Sequence, residues 1–324
     1  MELRPEQITI AVTVYSRREF VCDAIRSALN QTIPVQVIVV EDCGPDAALR
    51  DFVTRQFGDR IRYFRNPKNR GLFDNWNACM DYCQTPWMSI LHDDDLLRPN
   101  FVAAMIELAK KASPRALYFG RAANLAEEGI VYPAPPVAWP QSWRELDVME
   151  FADECSVLFP GQLFRIADAR AVGGFRTGSY FTGDWDMWFR LALRFGAAQS
   201  ATEVAINRSH EGVDRGTSRV ERMGWKWALD NVQRKRNLAL LQKEKDFSIS
   251  FNRTKLLNTS PIPSRLLLRH AKGFSRRMLA YNAWLFIHSA PPHWRYAALQ
   301  WLVRLCGPGI LQLGTVFSRK IHDK

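Results

Sequence analysis

Over the first 124 residues, short apolar runs alternate with segments of helical period. Ile8–Ser16 (ITIAVTVYS) is a β-branched run and predicts a strand. A helical pattern follows it, with Phe20, Ile25, Ala28 and Leu29 on one side. Val35–Val40 (VQVIVV) predicts a second strand, followed by a helix that starts at Pro45 and runs through Phe57. Ile61–Phe64 predicts a short strand, Leu72–Cys83 a helix and Trp87–Leu91 a strand that runs into His92-Asp93-Asp94-Asp95. A helix from Pro99 to Lys111 and a fifth strand at Ala116–Gly120 complete the block. Near-continuous apolar strands separated by helices imply an α/β fold with a mainly parallel sheet covered on both faces. In open sheets of this kind, ligands bind beyond the carboxyl ends of the strands, so chemistry is sought there.

The pattern then changes. Residues 125–146 are aperiodic and contain Pro and Trp, as a long functional loop or flap would. Beyond them the periodicity predicts a helix near Val148–Cys155, a short element at Gly161–Ile166, a helix from Asp184 to Phe195 and a strand over Ala201–Asn207. Residues 219–245 read as a charged helix.

Composition changes this picture in two respects. The chain has 324 residues, 47% of them hydrophobic and 24% charged, which excludes disordered and low-complexity classes. The net charge is +11, but residues 261–324 hold ten Lys/Arg against the single acid Asp323. The basic character therefore belongs to the C-terminal tail, and residues 1–260 are close to neutral. The six cysteines (Cys22, Cys43, Cys79, Cys83, Cys155, Cys306) contain no Cys-x-x-Cys pair and read as reduced thiols packed as small hydrophobes. The opening MELRPEQ has no apolar core of a secretory signal, so a cytoplasmic location is expected.

Two acidic clusters end apolar strands: Glu41-Asp42 after VQVIVV and Asp93-Asp94-Asp95 after WMSIL. Three successive carboxylates repel one another. A hard divalent cation resolves the repulsion, with one or two carboxylates holding it and substrate phosphates completing its shell. For Glu41-Asp42 the alternative is a plain acidic turn before a helix.

Five segments in order resemble family 2 inverting glycosyltransferases of the GT-A fold. They are VTVYSR (12–17), VIVVEDCG (37–44), NPKNRG (66–71), LHDDDLLRP (91–99) and TGDWDMWFRL (182–191). The resemblance covers about residues 8–210. It implies a GT-A domain over 1–218, with a nucleotide-binding half of about 1–124 and an acceptor half of about 125–218. A helical, basic extension over 219–324 follows. By this resemblance Thr13 and Tyr15 contact the nucleotide base, Asp42 bonds the pyrimidine ring and Arg70 lies near the base or diphosphate. Asp93 sits beside the ribose and Asp94 binds Mn²⁺ or Mg²⁺, with Asp95 and His210 as further candidate ligands. His92 stands where the family's first Asp is usual. Asp184 falls on the general base.

The implied chemistry is attack of an acceptor hydroxyl on the anomeric carbon as a nucleoside diphosphate leaves from the opposite face. A carboxylate takes the hydroxyl proton, help that contributes roughly 10²–10⁴-fold. For Asp184 the alternative is a helix N-cap, and Asp186 is its local rival. Trp185 and Trp188 either border the acceptor pocket or pack in the core.

In the tail, Trp294, Ala298, Trp301 and Leu305 form one helical stripe with Arg295 and Arg304 off it. Residues 264–318 thus suggest a helix lying on an anionic membrane surface, as an enzyme with a glycan or lipid-linked acceptor would use, or an ordinary helical subdomain. Three rival functions are weaker. A nucleotidyltransferase would show a Gly-rich phosphate loop after the first strand, where this chain has VYSRR. A nucleic-acid-binding protein would not confine its charge to the tail, so no nucleic-acid partner is expected. A catalytically silent scaffold would not be expected to keep Asp42, Asp94 and Asp184. Cell-surface polysaccharide or lipopolysaccharide assembly is the role the resemblance suggests.

Overall fold

The computed structural model describes residues 3–112, 114–177, 182–208 and 226–244. The chain divides into two compact units, Met1–Glu211 and Gly212–Lys324. In the second, the described residues are one helix, Lys226–Glu244.

The first unit is built on a ten-stranded sheet. Its strands are β1 (Ile8–Val14), β2 (Gln36–Glu41), β3 (Arg62–Arg65), β4 (Trp87–His92), β5 (Leu96–Leu97), β6 (Leu117–Leu125), β7 (Val131–Tyr132), β8 (Trp143–Glu145), β9 (Gln162–Arg165) and β10 (Ala197–Arg208). Its helices are α1 (Arg18–Leu29), α2 (Leu49–Phe57), α3 (Leu72–Tyr82), α4 (Phe101–Lys111), α5 (Val148–Asp153), α6 (Ile166–Ala171) and α7 (Gly183–Phe195). The path across the sheet is β3-β2-β1-β4-β9-β6-β10-β5, with β7 on β6 and β8 on β10.

The GT-A-like α/β class holds, and parallel order is concentrated where the βα alternation is cleanest. β3, β2, β1 and β4 run parallel, whereas β9 is antiparallel to both β4 and β6. β10 is parallel to β6 and antiparallel to β5 and β8, so the far half is mixed. The 125–146 segment is not wholly loop, since it supplies β7 and β8 at the sheet's margins.

β1 shows why the parallel half forms. All its residues are buried, as a central strand with helices on both faces requires. Ile8, Ile10, Val12 and Val14 join one apolar cluster with Val21, Ala24, Ile25 and Ala28 of α1 and with Val37 and Val39 of β2. Each fully buried side chain of this size contributes about 1.5–3 kcal/mol relative to exposure. On the other face Thr9 and Thr85 share a hydroxyl hydrogen bond at 2.7 Å.

Register then decides where the polar ends meet. Thr13 lies opposite His92 on one side and Val40 on the other, and Val14 is opposite Glu41. The carboxyl ends of β1, β2 and β4 therefore lie at one level, and both acidic clusters leave the sheet at that edge. The described cysteines Cys22, Cys43, Cys79, Cys83 and Cys155 are free thiols.

Candidate active site

The two residues of the first acidic cluster have different surroundings. Glu41 is fully buried; it accepts from the Tyr63 hydroxyl at 2.8 Å, from the Gly44 N–H at 3.1 Å and from the Arg65 guanidinium. Burial and the Glu41 carboxylate both push the Tyr63 hydroxyl above its usual range. This carboxylate is internal scaffolding, and it holds the β2–α2 turn. Gly44 lies so close to the Tyr15 carbonyl that no side chain fits there, which brings that turn against the end of β1.

Asp42 faces the edge. Its Oδ1 accepts from Asn66 Nδ2 at 2.9 Å and from the Arg70 N–H at 2.8 Å, and its Oδ2 accepts from the Gly71 N–H at 2.9 Å. Asn66 is itself fixed by Asn75 Oδ1 at 2.9 Å. Asp42 thus pins the 66–71 loop to the end of β2 and leaves the Arg70 side chain exposed. Tyr15 is exposed at the end of β1, while Thr13 is buried and its hydroxyl reaches the Leu91 carbonyl at 3.4 Å.

Asp93, Asp94 and Asp95 are all buried. Arg17, at the start of α1, places Nη1 2.6 Å from Asp94 Oδ2 and 3.0 Å from Asp93 Oδ1. Burial pushes the Asp93 carboxyl up to about 7, against the pull of Arg17 and with the Asp94 charge adding to the rise. Asp95 Oδ1 accepts from the Arg208 N–H at 2.9 Å, and Arg208 Nε donates to the Asp94 carbonyl at 2.9 Å. The end of β10 is thereby tied to the acidic motif.

His92 packs against two aromatic rings that also touch each other, 5.3 Å from Trp76 and 4.0 Å from Phe159 by centroids. Burial lowers it to about 4, with Asp94 opposing, so the imidazole is neutral. Its Nδ1 is 3.7 Å from Asp95 Oδ2, and its buried Nε2 has no hydrogen-bond partner.

At the far side, Asp184 and Asp186 lie in the first turn of α7, behind the N-cap Thr182. Asp184 is half-buried and accepts from the Trp185 N–H at 2.8 Å. Trp185 and Trp188 are core residues, and the Trp185 indole donates to the Phe151 carbonyl at 2.7 Å. A Cβ on Gly183 would collide with the Phe73 ring, and Phe73 meets Trp76 edge-on at 5.2 Å. The start of α7 is therefore joined by direct packing, through Phe73 and Trp76, to the His92 end of β4.

Residues 9–166 match the family described as Glycosyl transferase family 2. This segment is a family 2 glycosyltransferase domain. An uncharacterized glycosyltransferase of Rickettsia conorii is 27% identical over 192 residues, 57% of this chain and 31% of that protein. The succinoglycan biosynthesis protein ExoO of Rhizobium meliloti is 34% identical over 106 residues, 32% of this chain and 30% of that one. The chain thus spans about a third of the length of these relatives. In fold it is similar to S. aureus TarS 1-349 in complex with UDP-GlcNAc, at TM-score 0.61 and 13% identity, covering 97% of this chain and 92% of that one.

The family 2 domain includes the sheet edge with Thr13, Tyr15, Asp42, Arg70 and the Asp93–Asp95 run, whereas Asp184 lies beyond the matched residues. His210 and residues 264–318 lie outside the described residues. One nitrogen of His92 and one carboxylate oxygen each from Asp94 and Asp95 lie within 4.8 Å of one another. Two ligands about 2.1 Å from one Mg²⁺-sized ion are about 3.0 Å apart when adjacent and about 4.2 Å when opposite, so the trio would draw together to share one ion. The two carboxylates suit Mn²⁺ or Mg²⁺, and His92 Nδ1, 3.7 Å from Asp95 Oδ2, is the imidazole nitrogen on their side. The residues fit a divalent cation.

Sequence reasoning passed over Arg17, Asn66, Trp76, Phe159 and Arg208. Arg17 stood in view, because an arginine pair directly after an apolar strand that ends at a ligand edge is itself a signal. The others act through partners distant in sequence, which no local pattern shows.

Proposed function

We propose that the chain is a metal-dependent inverting glycosyltransferase that moves a sugar from a nucleoside-diphosphate donor to a hydroxyl acceptor. The observation carrying this reading is the meeting of Asp42, Asp93, Asp94 and Asp95 at the carboxyl ends of neighbouring strands in a family 2 domain. In this reading Tyr15 and Thr13 border the base, the Asp42-pinned loop of Arg70 closes over it, and Asp93 meets the ribose. Asp94, with Asp95 and His92, holds Mn²⁺ or Mg²⁺; His210 is a further candidate ligand. The bound cation offsets the charge growing on the departing diphosphate.

Asp184 accepts the proton of the acceptor hydroxyl as its oxygen attacks the anomeric carbon. Asp186 is unsuited to that role because its carboxylate is committed to Arg190 inside the core. The names of two similar proteins, the succinoglycan biosynthesis protein ExoO and a chondroitin synthase of Escherichia coli, support a place in polysaccharide assembly. The complex of TarS with UDP-GlcNAc supports a nucleotide-sugar donor. Among the described residues no helix is long and apolar enough to cross a membrane. Contact with anionic lipid through 264–318, on the cytoplasmic side, is the proposed route to a lipid-linked acceptor.

The test is calorimetric binding of UDP, GDP and dTDP, with and without Mn²⁺, to wild type and Asp94→Ala. Metal-dependent binding of one diphosphate, lost in the variant, is the expected result. Absence of binding by folded wild type to all three would favour a silent scaffold.

A further inference from the structure

Arg17 is a cation held by the side chains of the acidic motif. Its backbone is fixed at the junction of β1 and α1, where the Val21 N–H donates to the Arg17 carbonyl at 3.2 Å and the Arg18 N–H to the Ser16 carbonyl at 3.1 Å. From that anchor the partly buried guanidinium spans Asp93 and Asp94. Asp94 is also the carboxylate that the proposed function gives to the divalent cation. A guanidinium and a divalent cation on the same carboxylate repel each other, and inside a partly desolvated site that repulsion is poorly screened.

We propose that Arg17 is a diphosphate-binding residue that the acidic motif holds in reserve. It bridges Asp93 and Asp94, offsetting part of their charge, and turns to the diphosphate when a cation binds. This rests on the metal-dependent reading above. The planar guanidinium presents paired donors that match phosphate oxygens, and its tether at the end of β1 keeps it at the edge where the donor lies. The contact also supplies two of the adjacent buried carboxylates with a charge partner from within the chain.

Full-length wild type, Arg17→Met, Arg17→Lys and Asp94→Asn are compared, with folding checked by thermal unfolding. Mn²⁺ binding is measured first without nucleotide, by calorimetry and by the rise in Tm, and then UDP, GDP and dTDP binding at saturating Mn²⁺. Arg17→Met is expected to bind Mn²⁺ roughly tenfold more tightly and the preferred diphosphate roughly tenfold more weakly, the scale of one lost charge-assisted pair. Arg17→Lys, with a single ammonium, is expected to fall between them on both scales and serves as the deciding variant if Arg17→Met does not fold. Mn²⁺ affinity that is unchanged or weaker in the Arg17 variants, yet lost in Asp94→Asn, overturns the exchange and leaves the metal-dependent function standing. Failure of wild type and the Arg17 variants alike to bind Mn²⁺ overturns both.

Discussion

Asp186 and Arg190 form a buried ion pair one helical turn apart in α7, with Asp186 Oδ2 2.6 Å from Arg190 Nη2 and 3.0 Å from Nε. The same guanidinium donates to the Gly174 carbonyl at 2.7 Å and to the Val172 carbonyl at 2.5 Å. Asn77 completes the grip on that turn by exchanging hydrogen bonds with the Phe175 backbone at 2.8 and 2.9 Å. The 172–175 turn is thus set from two sides. Asp186→Asn should destabilise the fold by about 3–5 kcal/mol, because it leaves a buried arginine without its counter-charge. Chemical denaturation measures this, and a loss under about 1 kcal/mol would contradict the assignment.

Asp184 should behave in the opposite way. Asp184→Asn keeps the shape and the acceptor for the Trp185 N–H but removes the proposed base. Turnover is expected to fall by roughly 10²–10⁴-fold while Tm and nucleotide affinity stay near wild type. Unimpaired turnover would move the proton acceptor elsewhere.

Asp42 is expected to act on donor binding through the loop it pins. In Asp42→Ala the Arg70 N–H loses its acceptor, at a cost of about 1–3 kcal/mol if it is left unsatisfied, while the Gly71 N–H keeps Asn69 Oδ1 and the Asn66 amide keeps Asn75 Oδ1. Amide exchange at Arg70 and Gly71 should accelerate, and diphosphate affinity should fall. Faster exchange with affinity unchanged would separate the loop from the donor site.

Gly183 tests whether α7 is positioned through Phe73. Gly183→Ala drives a methyl into the ring, so kcat should drop more than diphosphate affinity. Combining it with Phe73→Leu should recover part of the loss, as a coupling term in a double-mutant cycle. Strict additivity of the two changes would argue against the contact.

The tail predicts a salt-sensitive interaction. Full-length protein should co-sediment with vesicles containing anionic lipid, and Gln in place of Arg265, Arg269, Arg276 and Arg277 should weaken it by about 1 kcal/mol per charge removed near the surface. Equal sedimentation with neutral vesicles would discount the electrostatic part.

The sequence by itself determined the parallel half of the sheet. A strand buried on both faces is apolar over most of its length, so ITIAVTV, QVIVVE and WMSILH are visible as strands, and the acidic residues that end two of them mark the ligand edge. Element ends shifted by a few residues: the helix read from Pro45 begins at Leu49, and the strand read as Ala201–Asn207 starts at Ala197. The short strands β5, β7 and β8 carry too few residues for a period and exist because β10 or β6 offers them an edge.

What each acidic residue does was decided only in three dimensions. Glu41 and Asp42, at and just past the end of β2, are neighbours of like chemistry, but successive residues of an extended chain point to opposite faces. One is sealed against Tyr63 and Arg65, and the other faces the loop of Arg70. Asp184 and Asp186 part for the same reason on a helix, where two residues is about half a turn and only Asp186 reaches Arg190. Arg17 and Asp94 are 77 positions apart, and their 2.6 Å contact exists because β1 and β4 are parallel neighbours in register. Local pattern records burial and period; charge pairing across the sheet depends on which strands lie side by side.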